Sequence, residues 1–432
     1  MLVFRKIPQA ILISGVIALF TFCSTNSQEN ADQNKKNPRT NQTEKAAPPT
    51  NNPHKKEIKT AKEVEVKNTQ TQLWDSGNTD MKYNQIARFI AGMPQIDTNS
   101  PLKKYEENTA WKNYAAQSNA RWNTIMTRKI PKMTQWRNEE LKALTQEGGF
   151  LFYPFSGADF LHVGIFFPTL SEIVMIGLEP IGTVPDIEKI ARSSFQYYFN
   201  GLNRSLATVL EYSFFRTLDM QVDLTGKVNV NIDGTLPLIM LFMVRTNHTI
   251  LDIEKVAIGK DGKMVAAQSI KNPQGVLFGN KISYRRDSVS NERKNLYYFS
   301  ADISDAGLNN KPHFLTFLQS LKINTTYIKS ASYLMYNASF SKIKNIILTQ
   351  TKYHLQDDSG IPFASFKKNE WDFIFFGRYI GPIQLFAGRW QNDLAAAFKD
   401  KNSTLRPLPF GIGYQFVEGN SNLMLAIKKP KQ

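Results

Sequence analysis

A short apolar run, Phe150 to Tyr153, stops at Pro154 and a Ser156-Gly157 turn followed by an acid, Asp159. A second run, Ile173 to Ile176, stops at Gly177-Leu178-Glu179-Pro180. Two such runs joined by an apolar segment read as strand, turn, helix, strand. The layout returns late in the chain. Thr326 to Tyr333 reads as a strand, and Phe340 to Gln350 as a helix capped by Ser339 or Ser341. Tyr353 to Leu355 reads as a strand ending in Gln356-Asp357-Asp358-Ser359-Gly360. Strands alternating with helices build parallel sheets. Between the two units, Thr249 to Arg286 breaks into short alternating runs around Lys260-Asp261-Gly262 and Asn272-Pro273-Gln274-Gly275, the pattern of antiparallel strands. The expected fold is α/β: a mixed sheet flanked by helices in a Rossmann-like three-layer arrangement, with an antiparallel section in the middle.

The rest of the body, 148–432, fills in around these units. Helices are expected from Asp186 to Asn200 and from Leu202 to Asp219, broken at Gly201. Leu236 to Arg245 is strongly apolar but too short to span a bilayer, so it reads as a buried element. A strand from Trp371 to Tyr379, a helix from Arg389 to Lys399 and a closing hairpin from Phe410 to Ile427 complete the order. Residues 71–147 carry Trp74, Trp111, Trp122 and Trp136 among many charges, with helical spacing from Tyr83 to Met93 and from Thr109 to Thr127, which predicts a helical extension docked on the body through its aromatic face.

The beginning of the chain has a different character. Arg5 and Lys6 precede an apolar stretch from Ile7 to Phe22, and the only cysteine of the 432 residues, Cys23, stands at its end. This is the layout of an export signal, 1–23. It resembles a bacterial lipoprotein signal, in which the cysteine is acylated and becomes a membrane anchor; Phe22 departs from the small residue usual before that cysteine. Cleavage after Ser27 would instead give a soluble periplasmic or secreted protein. Residues 24–70 are Asn, Lys, Thr, Gln, Glu and Pro, with too little apolar surface to offset ordering, and read as a disordered tether. One cysteine excludes a disulfide framework. The formal net charge of +16 comes from lysines scattered along the chain. Scattered cations and an export signal argue against a nucleic-acid partner.

Ligand sites of open α/β sheets lie at strand ends, so the candidate site residues are those in the terminal loops. Asp159, Asp357 and Asp358 are the acids suited to catalysis, as a general acid–base set or a pair sharing a proton. Ser156, Gly157, Glu179, Arg378 and Tyr379 are the candidate ligand contacts, with His162 and His354 nearby in sequence. One glycine is too few for a dinucleotide fingerprint, Ser156 lacks the Gly-x-Ser-x-Gly elbow, and no paired-histidine or paired-cysteine spacing exists. No cofactor and no metal are therefore expected.

Several strings, namely Tyr153-Pro154-Phe155-Ser156-Gly157-Ala158-Asp159-Phe160, Gly177-Leu178-Glu179-Pro180, Lys329-Ser330-Ala331-Ser332-Tyr333-Leu334, Gln356-Asp357-Asp358-Ser359-Gly360-Ile361-Pro362 and Pro409-Phe410-Gly411-Ile412-Gly413-Tyr414, resemble recurring strings of an uncharacterised bacterial envelope protein family. The resemblance spans about 148–428 and implies one continuous domain without implying an activity. The function expected is that of a cell-envelope lipoprotein, held to a membrane through Cys23, that binds an envelope ligand without catalysis. The alternative is an envelope hydrolase using the carboxylates at the strand ends.

Overall fold

In the computed structural model, residues 81–212, 233–286 and 290–430 are described. The expected signal and tether, Cys23 and Trp74 lie outside them, as does the expected helix beyond residue 212. The described strands are β1 (Phe150–Tyr153), β2 (Glu172–Gly177), β3 (His248–Ile258), β4 (Met264–Ala266), β5 (Leu277–Arg286), β6 (Ser290–Ser300), β7 (Thr325–Ile328), β8 (Tyr353–Gln356), β9 (Trp371–Gly377), β10 (Thr404–Arg406) and β11 (Asn422–Lys428). They form one mixed sheet ordered β10-β9-β11-β8-β7-β1-β2-β6-β5-β3-β4.

The middle of the sheet, β8-β7-β1-β2-β6, is parallel throughout. Numbered in chain order and read from β6, these strands run 3-2-1-4-5, the doubly wound order. The order of connection reverses between β1 and β7. The antiparallel section sits mid-chain but not mid-sheet, because β5, β3 and β4 extend the sheet outward from β6. The closing hairpin is not found. β11 inserts between β8 and β9, antiparallel to both, and 410–421 carries no strand. Phe410 and Ile412 bury themselves against the core instead of pairing. Both outer strands, β4 and β10, have three residues, short enough to offer little edge for aggregation.

Alternate residues of each strand feed two separate apolar sets. Leu151, Tyr153, Ile173 and Met175 face one side, and Phe152, Val174 and Ile176 the other. The first side is covered by residues from α1 (Lys82–Ile90), α2 (Thr109–Arg128), α3 (Ile130–Glu140), α4 (Lys142–Glu147), α5 (Phe160–Phe166), α6 (Ile187–Ser193), α7 (Phe195–Tyr212) and α8 (Leu236–Arg245). The second is covered from α9 (Asp305–Asn310), α10 (Pro312–Ser320), α11 (Ser341–Gln350) and α12 (Asn392–Lys399). Trp111 stacks on Phe89 at 5.5 Å, and Trp136 is wedged among Phe166, Phe376 and Phe410, so these tryptophans are docking anchors. Among the described residues no helix is long and apolar enough to cross a membrane.

Two expected boundaries move for identifiable reasons. The break between α6 and α7 falls at Ser194, not Gly201, because Ser194 is extended and its Oγ accepts from Tyr197 N as a cap. Helix α11 is capped neither by Ser339 nor by Ser341. Asp305, from the start of α9, accepts from Lys342 N at 2.9 Å and from Ser341 Oγ at 2.6 Å.

Candidate functional site: two buried acid centres at the switch point

The chain after β1 turns through Phe155, at φ 59°, and Gly157, at φ 52°, and enters α5 at Asp159. Asp159 is the N-cap of α5, accepting from His162 N at 3.4 Å. Its Oδ1 also meets His162 Nδ1 at 2.8 Å, and its Oδ2 accepts from Lys329 Nζ at 2.8 Å and from the Tyr153 hydroxyl at 3.0 Å. Lys329 is the first residue after β7. Asp159, His162 and Lys329 are 0%, 1% and 3% exposed. Burial raises the affinity of Asp159 for a proton. The charges and hydrogen bonds of His162 and Lys329 outweigh it and hold the carboxyl well below its usual range. Burial pulls His162 down to about 4, so the ring is neutral near pH 7 and donates through Nδ1. Its Nε2 is buried without a protein partner. Lys129, at the junction of α2 and α3, is drawn into the same field. Burial first, then the charge of Lys329, lower it to about 8. At the other end of α5, Arg137 donates to Ile165 O and Arg286 to Gly164 O, placing cations where the helix dipole favours them.

The second centre follows β8. Asp357 Oδ2 accepts from Ser330 N at 2.9 Å, and its Oδ1 from Ser359 N at 3.0 Å and from the Ser359 hydroxyl. Asp358 Oδ2 accepts from the Tyr333 hydroxyl at 2.6 Å and Oδ1 from Asn422 Nδ2 at 3.1 Å. The two carboxylates are 3% and 6% exposed. Burial, then the charge of Asp358, push Asp357 up to about 7, and burial raises Asp358 as well. No cation stands among the strongest influences on either acid. Adjacent acids of this kind titrate as a unit.

Asp159 and the Asp357–Asp358 pair therefore share one edge of the sheet, two strand positions or roughly 10 Å apart. The strand between them supplies both, since Lys329 pairs with Asp159 while the next residue, Ser330, donates to Asp357. Glu179 joins neither centre. It folds back over Gly177 beside Gly157, with the Tyr298 hydroxyl 3.4 Å from its Oε2. Ser156 spends its hydroxyl on the carbonyls of Gly157 and Ile176, holding the turn. Arg378 and Tyr379 follow β9, five strand positions or roughly 24 Å from β2, so they do not converge with Glu179. Arg378 is exposed, and the Tyr379 hydroxyl accepts from Gln391 N in the opposite core. His354 stays within β8, its Nε2 at 2.7 Å from Gln356 Oε1.

Lys329, Ser330, Tyr333 and Asn422 complete the site and were not singled out from sequence; the only signal was the Lys329–Leu334 string itself. Among the described residues no group of histidine, cysteine, aspartate or glutamate side chains has the arrangement to hold a metal ion. Comparison of the chain with protein-family models, with curated proteins and with solved structures finds no match.

Proposed function

We propose that the chain is an exported bacterial cell-envelope lipoprotein, anchored through Cys23, whose domain binds an envelope component without transforming it. The anchor reading rests on the basic start, the apolar stretch and the placement of the sole cysteine at its end. For the domain, a Rossmann-like helix–sheet–helix arrangement is supported by the 3-2-1-4-5 order and the two apolar sets. One observation carries the binding reading. Asp159, Asp357 and Asp358 are buried and hydrogen-bonded to the protein's own groups, so none faces outward to meet a substrate.

The test of the anchor is metabolic labelling with a radioactive fatty acid in a bacterial host, followed by membrane fractionation of the full chain. Label and membrane association are expected in the wild type and lost in Cys23→Ala. An unlabelled wild-type protein in the soluble fraction overturns the lipid anchor and leaves the soluble exported form. A second reading, an envelope hydrolase, is favoured by the raised proton affinity of Asp357, the property a general acid needs. Hydrolysis of purified envelope material that disappears in Asp357→Asn would replace the binding reading with this one.

A further inference from the structure

The loop after β7 is held in a conformation it would not adopt alone. Ser330, Ser332 and Tyr333 have φ of 52°, 51° and 53°, the left-handed region that L side chains enter at a cost. Three successive amides are fixed by side chains from elsewhere. Ser330 N donates to Asp357 Oδ2, Ala331 N to Ser359 Oγ at 2.8 Å, and Ser332 N to the Tyr414 hydroxyl at 3.1 Å. Ser359 Oγ in turn donates to Asp357, and Tyr333 and Tyr336 donate to the side chain and carbonyl of Asp358. Beyond the loop, the left-handed Phe155 packs on Phe340 at 5.8 Å, which ties the turn after β1 to the segment that follows the loop.

We propose that the Asp357–Asp358 pair is a proton-controlled latch: one proton on the pair keeps the loop 329–337 bound to it, and loss of that proton leaves two like charges side by side in a buried site and loosens the loop. The groups that face the pair make the proton the available counter-charge. They are Tyr153 and Tyr327 from β1 and β7, Tyr333 and Tyr336 from the loop, Tyr379 beyond β9, Tyr414, and the amide of Asn422 from β11. The neighbouring cation, Lys329, is paired with Asp159. Backbone amides, hydroxyls and the Asn422 amide donate to the two carboxyls, and the proton belongs to the pair as a unit. An exported chain meets the pH of its surroundings, so under the proposed location the latch has a signal to read, while the response of the loop to pH is independent of location.

The test is amide hydrogen exchange of the purified chain between pH 5 and pH 8.5, corrected for the intrinsic pH dependence of exchange. Opening releases one proton, so loop protection at 329–337 should fall about tenfold per pH unit up to about pH 7 and level off above it. Amides of α10 should keep their protection, which separates loop opening from global unfolding. Asp358→Asn retains both contacts, with Oδ1 accepting from Asn422 and Nδ2 donating to Tyr333, and should flatten the profile with the loop closed. Tyr333→Phe removes a hydrogen bond that lowers Asp358 and should move the plateau to higher pH. Loop protection that is flat from pH 5 to pH 7 in the wild type, or an unchanged slope in Asp358→Asn, overturns the latch. Should Asp358→Asn not fold, the wild-type profile and the direction of the Tyr333→Phe shift decide.

Discussion

The two acid centres on either side of β7 are a controlled comparison within one molecule. Each is an aspartate at the end of a parallel strand, buried, with hydroxyl and amide donors around it. Yet Asp159 is held below its usual range and Asp357 pushed up to about 7. The difference lies in the charged and polar neighbours. Lys329 and His162 give Asp159 a counter-charge and a strong donor, whereas Asp357 has neutral donors and a second carboxylate. Burial alone decides neither case; what is buried with the acid does.

The largest effect expected is from breaking the paired centre. Lys329→Met removes the lysine charge from a buried carboxylate that keeps its contacts with His162 and Tyr153, and should destabilise the fold by about 3–5 kcal/mol in urea titrations at pH 7. Adding Asp159→Asn should recover most of that. A single-variant loss under 1 kcal/mol would show that the lysine is not what separates the centres.

The next prediction concerns pH, where the centres oppose each other. The pair binds its proton more tightly folded than unfolded, so its stabilising contribution is complete below about pH 4 and is lost as pH rises to about 7. Asp358→Asn should remove that falling limb and gain up to about 4 kcal/mol relative to wild type at pH 8, an upper bound from one pKa unit per 1.4 kcal/mol. His162 is shifted the other way. Its contribution is present above its unfolded value near 6.5 and is lost as pH falls through about 4. His162→Asn places Nδ2 where Nδ1 stood and should flatten stability over that window, a change on the order of 1–3 kcal/mol. Stability measured at half-unit pH intervals reads both slopes, and equal signs would break the comparison.

Smaller effects sharpen it. Tyr153→Phe removes one donor from Asp159 and should cost about 1–2 kcal/mol by thermal melting. Ser330→Gly keeps the amide that reaches Asp357, relieves a left-handed residue and loses a hydroxyl that has no partner, so a gain of about 0.5–1 kcal/mol is expected. A loss there would assign the Ser330 hydroxyl a contact of its own.

Much of the fold was legible because it is written locally. The β1–α5–β2 and β7–α11–β8 units follow from apolar runs ending in Gly, Pro and acidic turns, and the same punctuation marked Asp159, Asp357 and Asp358. What was not legible comes from distant segments. Thr326 to Tyr333 reads as one strand, but β7 stops at Ile328 because Asp357, Ser359 and Tyr414 take the next backbone amides. Lys329 was hidden inside that apparent strand. Arg378 and Tyr379 were expected beside Glu179 because sequence gives no strand order, and β11 comes between β8 and β9. The cap of α11 arrives from Asp305, far from the serines that local pattern favours.

The place of β11 sets a schedule for assembly. Of the strands described it is the last to be synthesised, yet it fills an interior slot, bonded to β8 on one flank and β9 on the other. Until those residues emerge, β9 and β10 have nothing to join, and Asn422 and Tyr414 are not yet available to the acid pair and its loop. The N-terminal units have local partners and can fold as they appear, whereas this half waits for a non-local pairing, the slow kind. A chain arrested shortly before residue 422 would carry an open sheet edge at β8, a pairing surface exposed to proteases and to other chains until β11 fills the slot.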